Sequence, residues 1–138
     1  MGVEKGIARV AQIASGKGIS PLDVFELRNV VFRDGLVACE EAEALFKLNH
    51  SCAQTCPEWR AFFIEALTDY VVHQEKPAGY VSAQKADWLI DMISHDGVVD
   101  TATELELLIR ILEKAKFSTE RLAAFALNQV KLAVVYGE

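Results

Sequence analysis

Apolar residues in this chain return every three or four positions, the spacing that lines one face of an α-helix, and no strand-like alternation competes with it. Val3, Ile7, Val10, Ala11 and Ala14 mark a first helix over 3–14, closed at Gly16-Lys-Gly18. Val24, Leu27 and Val31 mark a second over about 21–34, and a third follows over about 39–51. A long fourth helix begins at Pro57, capped by Thr55 or Cys56, and ends near Lys76-Pro77-Ala78-Gly79. It is apolar almost all round: Trp59, Phe62, Phe63, Ile64, Leu67, Tyr70, Val71 and Val72. A narrow polar stripe remains at Glu58, Glu65, Asp69, His73 and Lys76. Such a helix belongs at the centre of a fold. Ala86, Leu89, Ile90 and Ile93 set a fifth helix over about 82–96, and a sixth covers about 102–115. Ser118 caps a seventh, to about 135, carrying Leu122, Phe125, Ala126, Val130, Leu132 and Val134.

The pattern is doubled. Displaced by 62 residues, Val81–Val99 lies on Ile19–Val37 without a gap, matching Ser20 with Ser82, Leu27 with Leu89, Asp34 with Asp96 and Gly35 with Gly97. Each copy spells an N-cap serine, a helix and an Asp-Gly stop, then a second helix. Gly35 and Gly97 suit a left-handed C′ residue, and Leu36 and Val98 would then touch Val31 and Ile93 as in a Schellman stop. Arg33 and His95 suit the negative end of the helix. Glu41 and Glu104 match at an offset of 63, so the second copy has one extra loop residue. Thr101 and Glu104 read as a capping box, whereas Ala38 and Cys39 offer no cap and leave Glu40 and Glu41 to serve the positive first turn. The reading is an all-α fold, one seven-helix domain over residues 1–138. Its two pseudo-twofold repeats, about 2–76 and 64–138, share the central helix.

With 138 residues, 51% apolar and 25% charged, the chain is long and apolar enough to bury a sizeable core. A net charge of −6 with no basic run disfavours nucleic acid. No apolar run approaches a membrane span, and residues 1–15 lack a signal-peptide core. Three cysteines, an odd number, fit a reducing cytoplasm better than a disulfide framework.

Arg33-Asp-Gly-Leu-Val37 with Glu41, and His95-Asp-Gly-Val-Val99 with Glu104, resemble the acidic turns of the TerB-like family. That family includes tellurite-resistance proteins and a helical domain found at the N-terminus of some DnaJ-type co-chaperones. The resemblance covers essentially the whole chain. It implies an intracellular, non-catalytic, stress-linked module with acidic clusters suspected of binding metal ions; a protein partner is expected, and the chain itself is read as a monomer or homodimer. By position these are Asp34 and Glu41 in one copy, Asp96 and Glu104 in the other.

Read from the residues alone, those carboxylates are either hard oxygen ligands for a weakly held divalent cation, a docking surface for a protein partner, or plain helix punctuation. They are not an EF-hand, because Val30, Phe32, Met92 and Ser94 stand where its first carboxylates belong. His50, Cys52 and Cys56 match no strong zinc spacing and read as a helix junction with small buried thiols. Glu65, Asp69 and His73, at helical spacing, form either a solvated stripe or the basis of a metal-dependent enzyme or carrier. Trp59 and Trp88 read as core. A phosphate loop, a nucleophile elbow and a pair of histidines on one helical face are all missing from the sequence, so no catalytic residue is assigned.

Overall fold

The computed structural model describes residues 2–16, 18–32, 36–51, 55–74, 76–95, 98–99 and 101–136; of 2–5, 30–31, 95 and 133–136 it describes the backbone alone. The fold is all-α, and the described chain divides into two compact units, Met1–Tyr70 and Val71–Glu138.

In the first unit, α1 (Gly2–Ala14) packs on α3 (Cys39–Ser51), and α2 (Pro21–Glu26) packs on α4 (Pro57–Thr68). Ser20 and Asp23 start α2 with a full capping box around Pro21. The helix then widens into a π turn over Leu27–Val31, sealed by the Phe32 N–H to the Leu27 carbonyl at 2.8 Å. On α1 the buried stripe is Gly6, Val10 and Ile13, not the expected run of Ile7, Ala11 and Ala14. Both stripes share Val10 and both obey helical spacing. Burial went to the side where a glycine lets α3 approach closely.

Helix α4 is the aromatic spine of this unit. Trp59, Phe63 and Leu67 are fully buried. Phe63 meets Phe46 edge-on at 5.3 Å and Trp59 at 5.5 Å, while Phe62 bridges Trp59 and Phe32. The Trp59 indole N–H donates to Asn49 Oδ1 at 3.0 Å, which satisfies the one polar atom of the ring. Past Thr68 the helix widens again, over Asp69–His73.

In the second unit, α5 (Ala83–Ile93), α6 (Ala102–Lys114) and α7 (Glu120–Tyr136) bury Ala86, Leu89, Ile93, Leu107, Leu108, Ile111 and Leu122. Trp88 is only half-buried, with Lys85 Nζ 6.0 Å from its ring, so it is not a core residue as Trp59 is. Ser82 caps α5, Thr101 caps α6, and Thr119 rather than Ser118 caps α7, each hydroxyl accepting a backbone N–H at 3.1–3.2 Å. Ahead of α5, Gly79 takes φ +92°, and its carbonyl accepts from Lys116 and Phe117. This ties residues 79–81 to the end of α6, with the Tyr80 and Phe117 rings stacked above.

Helix α5 also corrects an expectation. It stops at Ile93, and Ser94 is already extended at φ −124°, ψ 155°. Ser94-His95 (β1) then pairs antiparallel with Val98-Val99 (β2), Ser94 opposite Val99 and His95 opposite Val98. His95 therefore sits on a strand and not in a last helical turn, and Val98 is 50% exposed rather than folded back on Ile93. Asp-Gly with β-branched residues after it is the sequence of a two-residue hairpin, and in this copy that signal prevailed over the helix stop.

Candidate functional site

Of the four acidic residues singled out, Asp34 and Asp96 lie outside the described residues, as do Arg33, Gly35 and Gly97. Glu41 and Glu104 occupy the same place in their helices: each is the third residue, of α3 and of α6, and each is buried, at 6% and 0% exposure. The third helical residue can reach back to the chain entering the helix. Glu41 does so, its Oε1 accepting the Ala38 N–H at 2.9 Å. This supplies the cap that Ala38 itself does not. The Oε2 atom turns inward against α1, where only a glycine, Gly6, leaves it room. At α6 the cap comes from Thr101, whose hydroxyl accepts the Glu104 N–H at 3.2 Å.

What the two glutamates share is burial of a carboxylate, a cost that hydrogen bonds or opposite charge must offset. This geometry does not fit a solvent-facing cation cage. One oxygen of Glu41 is committed to backbone and the other faces a helix. Among the described residues no three histidine, cysteine, aspartate or glutamate side chains converge as metal ligands.

Behind the second acidic turn, Gln129 of α7, 4% exposed, uses Oε1 to accept the Val99 N–H at 2.9 Å. The hairpin is thus tied to α7 through a buried side chain. Residue spacing gives no hint of this pairing, because the partners are 30 residues apart.

The alternative site on α4 is differently occupied. Both carboxylate oxygens of Glu65 accept from Arg28 Nη1, at 3.0 and 2.9 Å, and the guanidinium lies 5.4 Å from the Phe62 ring centre. Arg28, Phe32, Val37, Phe62, Glu65 and Asp69 line a cleft of about 360 Å³. Glu65 is an ion-pair partner there, and Asp69 and His73 are the two ends of the π turn that follows α4. Of the thiols, Cys52 lies outside the described residues. Cys56 is half-buried at the N-cap of α4, and Cys39 is exposed beside Glu43.

A feature not foreseen from sequence lies between α1 and α3. An open groove of about 790 Å³ has Val10 and Leu48 in its lining, Ile7, Ala11, Ala14 and Ala44 beside them, and Glu40, Glu43, Lys47 and His50 as its charged or titratable residues. Its α1 wall is Ile7, Val10, Ala11 and Ala14, the apolar face that sequence periodicity marks on this helix.

No family model, no curated protein and no solved structure matches this chain.

Proposed function

We propose that this chain is a non-catalytic binding module of TerB-like type, and that its acidic Asp-Gly turns are the surface on which a protein partner docks. One observation carries the reading: Glu41 and Glu104 are buried at the same position, the third residue, of the helix that comes next in the chain after each Asp-Gly pair. A carboxylate buried at the same position of two helix heads fixes both starts in one way, and on this reading the nearby aspartates Asp34 and Asp96 are the acids that meet the partner. Docking is favoured over a cation because Glu41 directs its oxygens into the protein. A basic partner surface needs only the acidic field that a net charge of −6 supports. The intracellular, cytoplasmic and stress-linked setting, tellurite resistance included, comes with the resemblance and stands or falls with it.

The test compares the parent chain with Asp34→Asn/Asp96→Asn, a change that keeps size and capping ability. A protein co-purifying with the parent and binding it again in purified form, but lost with the variant of unchanged circular dichroism, supports docking at the turns. Calorimetric titration with calcium, magnesium, manganese and zinc chlorides runs alongside. Heat with the parent and none with the variant replaces docking by the weak divalent-cation reading. Equal behaviour of both chains in both assays makes the turns structural and ends the proposal.

A further inference from the structure

The groove between α1 and α3 is an apolar trough on one helix pair, and α7 carries an apolar ridge of matching dimensions. Leu122, Ala126 and Gln129 are the buried stripe of α7. On a neighbouring face Ala123, Leu127 and Val130 are exposed, Leu127 at 65% and Val130 at 40%, and their spacing of four and then three is that of a helix-pairing seam. From Ala123 to Val130 is about 10 Å of helix, the same as the length from Ile7 to Ala14 along the groove.

The charges match as well. Along α3 the edge of the groove runs from Glu40 and Glu43 to Lys47 and then His50, carboxylates first and an ammonium after them. Along α7 the ridge runs from Glu120 to Lys131 on one flank. Laid antiparallel to α3, the ridge places Lys131 over Glu40 at one end and Glu120 beside His50 at the other. Glu120 and Lys131 are about 16 Å apart along α7, and Glu40 and His50 about 15 Å apart along α3.

We infer that the α1–α3 groove is filled by α7 of a second copy of this chain. The contact is heterologous, ridge to groove, so it closes as a dimer where two form together and otherwise extends from copy to copy. One helix in one groove is a small interface and a weak one. Association is therefore read by sedimentation velocity of the full chain up to about 1 mM, the range in which weak contacts populate.

The expected result is a mass that rises with concentration for the parent chain. Leu127→Asp, which spoils the ridge, and Ala11→Asp, which spoils the groove at an exposed position, each weaken association at least tenfold. Mixed in equal amounts they associate again, because each retains the half the other lacks. Should Ala11→Asp fail to fold, charge reversal replaces it: Lys131→Glu weakens association, and Glu40→Lys with Glu43→Lys in the same chain restores it. A parent chain monomeric at about 1 mM overturns the inference. So does loss with Leu127→Asp but not with a folded Ala11→Asp, or a Lys131→Glu loss that Glu40→Lys with Glu43→Lys does not restore, either of which would mean that α7 pairs with α7.

Discussion

Gly6 of α1 lies against the carboxylate of Glu41 at the head of α3, so close that a methyl group at position 6 would collide with Oε2. The same carboxylate holds the Ala38 N–H through Oε1, so it cannot swing away without uncapping α3. Alanine normally improves a helix interior over glycine by about 1 kcal/mol. Here Gly6→Ala should instead destabilise by about 1 kcal/mol, because the displaced buried carboxylate and lost cap outweigh the backbone gain. In a Glu41→Ala background the collision is gone, and Gly6→Ala should become stabilising. Urea unfolding of the four chains measures this sign change, and its absence would remove Glu41 as the reason for the glycine.

The Trp59–Asn49 pair is the second prediction. The indole N–H and its acceptor are both buried, so removing the acceptor alone strands a donor. Asn49→Leu should cost about 1–3 kcal/mol. Trp59→Phe loses ring area and leaves the amide short of one partner. The double variant, with neither polar atom, should lose less than the two single losses together. Strict additivity in urea unfolding would mean the hydrogen bond contributes nothing specific.

These interactions mark the limit of what was legible in the sequence. The existence and starts of most helices, the Ser20 and Ser82 caps and the burial of the aromatic residues of α4 follow from local spacing and capping chemistry, and each stands in the structure. The α1 face did not follow. Gly6/Val10/Ile13 and Ile7/Val10/Ala11/Ala14 are both helical stripes, and only close approach to Glu41 chooses between them. The hairpin at Ser94–Val99 had its signal in Asp-Gly, but the match to Asp34-Gly35 favoured a helix stop at both turns. The two π turns leave no trace in residue spacing. At the candidate site the place of Glu41 and Glu104 in the first turn was legible. Their burial was not, because it depends on elements distant in sequence.

The third prediction concerns pH. Glu26 is held below the usual carboxylate range, first by the hydrogen bond it accepts from Arg9 at 2.6 Å and then by the nearby positive charge. A lowered folded value places this stabilisation above the ordinary glutamate value of 4.5, and it is lost as pH falls through the folded value. Glu26→Gln should therefore unfold at a lower temperature than the parent at neutral pH, and the gap should close in acid. Because Glu26 is well exposed, the neutral-pH gap should be small and should shrink with added salt. A gap that persists unchanged at low pH would assign the effect of the substitution to packing.

The last prediction concerns Cys56, the N-cap of α4. Its backbone is extended, φ −126° and ψ 163°, as a cap requires, and Pro57 follows at the first helical position. Its side chain makes no capping hydrogen bond, whereas the serines at the heads of α2 and α5 do. Sulfur is a weak acceptor, so the first N–H groups of this well-buried helix lack the partner a hydroxyl would supply. Cys56→Ser should therefore stabilise the chain by about 0.5–1 kcal/mol, part of it offset by burying a more polar atom at a half-buried site. Cys56→Ala keeps neither acceptor nor volume and should fall slightly below the parent. The order serine, cysteine, alanine in urea midpoints identifies position 56 as a cap. If serine instead ranks last, the thiol matters for its packing. If zinc copurifies with the parent and is lost from both variants, Cys56 is a ligand after all, and the junction around His50 and Cys52 becomes the place to look.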